Sequence, residues 1–97
     1  MTTLRIEHAI SEYATWKTAF DGLTDVRTKA GVRGFAIRRP VDDPACLMLD
    51  LEFDNPSQAE AFARFLTDRV WSSPTSAPAL AGVPRTRILD LVGTAKP

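Results

Sequence analysis

The sequence predicts a single α+β domain. Three observations carry this: a period-two apolar pattern near the start, the same pattern again in the middle, and a period-3.6 stripe after each. The 97 residues leave room for one core.

Thr3 to Ile10 is the first strand, with Leu4, Ile6, His8 and Ile10 on one side and Thr3, Arg5, Glu7 and Ala9 on the other. Ser11 stands where an N-cap belongs, with Glu12 in the favourable first turn. Tyr13, Trp16, Phe20 and Leu23 then follow helical spacing, while Lys17, Asp21, Asp25 and Arg27 form the wet side. Gly22 weakens the middle of this helix by roughly 1 kcal/mol, enough for a kink. Gly31 fits the position just past the helix end.

Val32 to Arg39 alternates again, with Phe35 and Ile37 opposed to Gly34, Ala36 and Arg38. Pro40 to Pro44 supplies turn chemistry. Cys46 to Phe53 is the clearest strand, with Leu47, Leu49, Leu51 and Phe53 strictly alternate with Cys46, Met48, Asp50 and Glu52. The pair reads as an antiparallel hairpin. Asn55 caps the next helix, Pro56 takes its first position, and Gln58 is placed as capping-box partner. Ala59, Phe62, Ala63 and Leu66 form its apolar stripe. Thr67 to Pro84 reads as a loop with one short helix at most. Thr86 to Val92 reads as the last strand, and a tail follows from about Gly93.

The order strand, helix, strand, strand, helix, strand is the split βαβ, ferredoxin-like pattern. It places the first and third strands centrally in a four-stranded antiparallel sheet with both helices on one face. The other face carries Met48 beside Asp50 and needs cover, for which a second copy of the chain is the natural candidate. The expected assembly is a homodimeric α/β barrel.

Composition excludes several function classes. Twelve Lys and Arg balance twelve Asp and Glu, which argues against a nucleic-acid or anionic-membrane partner held by bulk charge. One His, one Cys and dispersed carboxylates give no metal-ligand spacing, and Cys46 has no CxxC partner. The start shows no signal-peptide pattern, no stretch is long and apolar enough for a membrane span, and no lipidation motif occurs. The expectation is a soluble, cytoplasmic protein without a cofactor. Arg33-Gly34-Phe35-Ala36-Ile37 is similar to part of an RNA-recognition signature, but it falls on the second strand, and the first strand has no aromatic platform. The same region is similar to the phosphate loop of acylphosphatases, which should follow the first strand instead.

The run His8 to Asp21, with Trp16-Lys17 and Phe20-Asp21 on the first helix, resembles the opening of the dimeric α/β-barrel superfamily, which includes the antibiotic-biosynthesis monooxygenases. Gly31-Val32-Arg33, the Asp42-Asp43-Pro44 turn and Leu49 through Asn55 share that resemblance. It covers most of residues 4 to 66 and returns weakly at Gly82 to Leu91. It implies two ferredoxin-like protomers packed sheet to sheet, each with a small-molecule pocket. Haem-degrading relatives pair an Asn on the first strand with a His on a later helix, whereas this chain has His8 on that strand and no other His. Quinone-forming relatives use Trp, Tyr and Asn; Trp71, Tyr13 and Asn55 are of those types but match no motif, so no catalytic role carries over.

His8 is the only side chain that titrates near neutrality unaided. On a central apolar strand it is either a general base in the pocket or a core imidazole bonded to a backbone carbonyl. Tyr13, Phe35, Met48, Asp50 and Trp71 are the candidate pocket residues, with Asp50 alternatively paired to Arg38 across the hairpin. The segment from Arg69 to Gly82, carrying Trp71, is expected to control access. Two functions follow. One is a cofactor-independent monooxygenase or cyclase-like enzyme acting on aromatic or polyketide-like compounds. The other is a non-catalytic ligand-binding or interaction protein on the same barrel. The enzyme needs His8 or a carboxylate exposed to a cavity of roughly 300 Å3 or more with a path to solvent. The binding protein can have His8 bonded away and the space filled by Met48 and Phe35.

Overall fold

The computed structural model describes residues 1–96. Its elements are β1 (Thr2–Ile10), α1 (Tyr13–Gly22), α2 (Thr24–Ala30), β2 (Gly34–Arg38), β3 (Cys46–Phe53), α3 (Pro56–Phe65) and β4 (Leu80–Asp90). The four strands form one antiparallel sheet in the order β2-β3-β1-β4. This is the α+β, ferredoxin-like arrangement, with β1 and β3 at the centre.

Register sets the core. Leu4, Ile6 and His8 lie opposite Leu51, Leu49 and Leu47. Phe35 and Ile37 lie opposite Leu51 and Leu49 from the other side. The period of two therefore turns these residues to the face covered by the helices. Leu4, Leu47 and Phe53 are fully buried there, joined by Phe20, Ala59, Phe62 and Leu66 from the helices.

The predicted first helix is two helices. It breaks at Leu23, just after Gly22, where the Leu23 N–H returns to the Phe20 carbonyl. The N-cap of α1 is Glu12, not Ser11, and it makes no side-chain cap bond. Gly31 ends α2 at φ +94, with its ideal Cβ position only 2.8 Å from Gln58 Nε2. A side chain there would meet both the left-handed backbone and α3. Asn55 caps α3 by accepting from the Gln58 N–H at 3.0 Å, and Gln58 Oε1 accepts from the Asp54 N–H.

Two strands differ in extent from the sequence reading. β2 is shorter, Gly34–Arg38. β4 starts six residues early, at Leu80, and ends at Asp90, although Gly82 and Pro84 lie within it. Both residues are tolerated because β4 is an edge strand with a register shift opposite the stretch between Glu7 and Ala9. The stretch read as a loop also begins as a helix, because α3 continues into a π-helical turn, Leu66–Val70. The wider turn brings both Leu66 and Val70 inward.

Candidate functional site

The helix-covered side holds a narrow cavity of about 70 Å3. Its floor is Ile6, His8, Leu49 and Leu51 from the sheet, and its walls include Trp16, Phe20 and Leu23 from α1 and the α1–α2 junction. Phe62 from α3 and Leu66, Val70 and Trp71 from the π-helical turn and its end close it, and Ser76 to Leu80 close one end. That end is held by backbone bonds. Ala77 N–H donates to the Ser73 carbonyl, and Ser11 N–H donates to the Ala79 carbonyl at 2.9 Å.

His8 is 6% exposed and lies in the wall of this cavity. Its Nδ1 lies 2.9 Å from the Ala9 carbonyl oxygen. A carbonyl only accepts, so Nδ1 carries the proton and Nε2 holds the lone pair. Burial pushes the imidazole pKa below its ordinary value, and the Ala9 carbonyl partly opposes this. The ring is therefore neutral at pH 7. Its centroid is 6.2 Å from that of Trp16, which stacks on Phe20 at 4.9 Å.

Arg27 is the second titratable group on the wall, and the sequence placed it on the wet side. It is 7% exposed. The stripe of Tyr13, Trp16, Phe20 and Leu23 continues in phase to position 27, seven residues past Phe20 and four past Leu23, and the Arg27 N–H bonds the Leu23 carbonyl at 3.0 Å across the break. Arg27 therefore turns inward. Its Nη1 donates to the Phe20 carbonyl at the end of α1, which also accepts from the Leu23 N–H, and its Nη2 donates to Thr24 Oγ1 at 3.3 Å. The guanidinium carbon lies 3.6 Å from the Phe20 ring centroid, a cation–π contact. Burial lowers its pKa from the ordinary value. The signal in the sequence was this spacing, against which the charge of the side chain argued for the wet side.

The candidate pocket residues divide. His8 and Trp71 line the cavity. Tyr13 and Phe35 lie on its outskirts. Tyr13 packs on Trp16 at 6.0 Å and under the Arg39 guanidinium at 4.9 Å. Phe35 meets Phe20 edge-on at 4.9 Å and remains half exposed. Met48 and Asp50 do not line the cavity. Register pairs them with Glu7 and Arg5, on the opposite face of the sheet. Asp50 accepts from Arg5 Nε and Nη2, both at 2.8 Å, and from Arg38 Nη1 at 3.1 Å. The predicted cross-strand pair with Arg38 is thus present, but Arg5 is the closer, bidentate partner. Its hydrogen bonds hold the Asp50 pKa below the ordinary carboxylate value.

The enclosed space falls well short of roughly 300 Å3, yet Met48 and Phe35 are not what fills it. Beyond Trp71 lies an outer groove of about 290 Å3, lined by Thr67, Ser72, Gly82, Val83 and Pro84 among others. Trp71 and Leu80 border both spaces. Among the described residues no cluster of His, Cys, Asp or Glu could hold a metal ion, and no helix is long and apolar enough to cross a membrane.

No protein-family model matches the chain, and no curated protein matches it. Solved structures do. A candidate antibiotic biosynthesis monooxygenase from Bordetella bronchiseptica is similar with a TM-score of 0.71 and 13% identity, over 94% of this chain and 97% of that one. A protein of unknown function from Nitrosomonas europaea is similar with a TM-score of 0.67 and 12% identity, over 99% and 93%. A dimeric ferredoxin-like protein from an uncultured marine organism is similar with a TM-score of 0.64 and 12% identity, over 97% of each chain. These similarities establish the shared fold, the ferredoxin-like class to which the strand order already pointed.

Proposed function

We propose that the chain is a small-molecule pocket protein whose helix-side cavity takes an aromatic or similarly apolar compound with an acidic hydroxyl, and that His8 accepts its proton. The observation that carries this is the pairing of a neutral imidazole, fixed as the Nδ1–H tautomer by Ala9, with an apolar cavity. Geometry of that kind presents Nε2 as a base, and the depressed pKa keeps it unprotonated. A phenol or enol that loses its proton becomes electron-rich enough to close a ring or react with dioxygen without a cofactor. In such an oxygenation the substrate supplies four electrons; one oxygen atom becomes a quinone carbonyl and the other leaves as water. The likeness to a candidate antibiotic biosynthesis monooxygenase favours this monooxygenase-like or cyclase-like reading.

Entry requires Trp71 to move, because a single aromatic ring needs a cavity of about 150 Å3. Displacing the indole joins the cavity to the outer groove. The alternative is a ligand-binding or interaction protein without catalysis, which the small enclosed volume favours. We further propose a homodimer in which a second copy covers the Met48–Asp50 face, in line with the marine neighbour described as dimeric. The test is titration with 1-naphthol, read by Trp16 and Trp71 fluorescence together with oxygen uptake. Saturation at or below about 100 μM is expected. His8→Gln should keep the binding and lose any turnover. No saturation at millimolar concentration contradicts the pocket, whereas binding without turnover selects the non-catalytic alternative.

A further inference from the structure

We propose that Arg27 makes the helix-side cavity selective for anions, so that its occupants are aromatic or apolar compounds carrying a carboxylate. The inference rests on the cavity being a ligand site and adds the chemical class of the ligand. Three observations carry it. Arg27 is buried in the cavity wall, and none of the ion pairs among the described residues includes it. Its two hydrogen-bond acceptors, the Phe20 carbonyl and the Thr24 hydroxyl, are neutral. Among the described residues no carboxylate lines the cavity, and the only other titratable group on its wall is His8.

A guanidinium has five N–H donors, and these two bonds use two of them. A buried cation is unfavourable unless a counter-charge and hydrogen-bond acceptors surround it. Phe20 offers the quadrupole of its ring and one carbonyl, which anchors the group without neutralising it. Asp21, the nearest acidic influence, is exposed and bound to Lys17 at 2.6 Å. A ligand carboxylate would supply what the chain does not: a negative charge and two acceptors matched to a planar fork. The aromatic stack of Trp16 on Phe20 connects the His8 side of the cavity to the Arg27 side. A ligand laid along that stack places its anionic end at Arg27 and the rest of its frame toward His8.

The test compares 1-naphthoate with 1-naphthylmethanol, which share a ring system and differ in charge. Fluorescence titration of the intact protein should show naphthoate binding about tenfold tighter or more. Arg27→Gln should abolish that preference while changing naphthylmethanol affinity by less than about threefold, and Arg27→Lys should restore part of it. The wild-type protein supplies a second readout that needs no variant: naphthoate, but not naphthylmethanol, should shift the Arg27 Nε–H resonance. Equal affinities in the wild type, a preference that survives in Arg27→Gln, or an unmoved Arg27 resonance each overturns the role of Arg27 and leaves the pocket standing. Failure of both probes to bind overturns the pocket and this inference together.

Discussion

The two faces of the sheet are built from the same strands and stabilised differently. On the helix side, Leu4, Ile6, Leu49 and Leu51 are buried by helices, and burial of apolar area supplies the stabilisation. On the other side, Arg5, Asp50 and Arg38 form an ion cluster, and Thr3 donates to Glu52 at 2.8 Å. Asp50 is nonetheless only 9% exposed, because the two arginines shield it. The comparison shows what each face can do. The apolar face can enclose a cavity and shift the pKa of the two polar groups set into it. The ionic face keeps its charges paired and open to a partner.

The largest expected effect is on the helix side. Leu49→Ala should cost about 2–5 kcal/mol in chemical denaturation, as for a packed core leucine. A loss below about 1 kcal/mol would mean that this face is not the core. Trp71→Ala comes next. It removes the wall between cavity and groove and should change 1-naphthol affinity or dimer stability by about 2 kcal/mol; unchanged values in both would remove Trp71 from the account.

On the ionic face, Asp50→Asn should cost about 1–2 kcal/mol at pH 7, because Arg5 and Arg38 lose their shared partner. The folded-state pKa of Asp50 lies below its ordinary 3.8, so its contribution is fully present above 3.8 and disappears as pH falls through the lower folded value. The difference between wild type and Asp50→Asn should therefore shrink below pH 3.8. A gap that stays constant down to pH 2 would show that the cluster acts through packing instead of charge. The smallest effect is expected at Leu89, which lies opposite Thr3 on the ionic face. Leu89→Ala should leave monomer stability within about 0.5 kcal/mol. Sedimentation of the same variant tests the dimer: weakened self-association places Leu89 in the covered face, and a wild-type chain that sediments as a compact 10.7 kDa monomer would contradict the proposed dimer.

The same contrast explains what could be read from the sequence. β1, β3 and the cap of α3 were legible because strict alternation and the Asn55-Pro56 pair each admit one local structure. The position of His8 followed from its phase with Ile6. Arg27 was missed because a charged side chain reads as solvent-facing, although its spacing from Phe20 and Leu23 places it on the buried stripe. The start of β4 was hidden for a different reason. Gly82 and Pro84 read as breakers, and only pairing at a bulged sheet edge makes a strand of them. Met48 and Asp50 were placed correctly on one face, but which face would hold the cavity depended on where the helices packed.

The most direct test of the account is the titration of the single histidine by NMR, with and without 1-naphthol. A neutral Nδ1–H tautomer with a pKa below 6.5 is expected, because burial opposes the charged form. The stability that His8 contributes is then full above 6.5 and is lost as pH falls through the lower folded value. Addition of 1-naphthol should shift the Nε2 resonance in a saturable way. A pKa at or above 6.5, with ring signals that ignore the ligand, would contradict the assignment of the helix-side cavity as the working site.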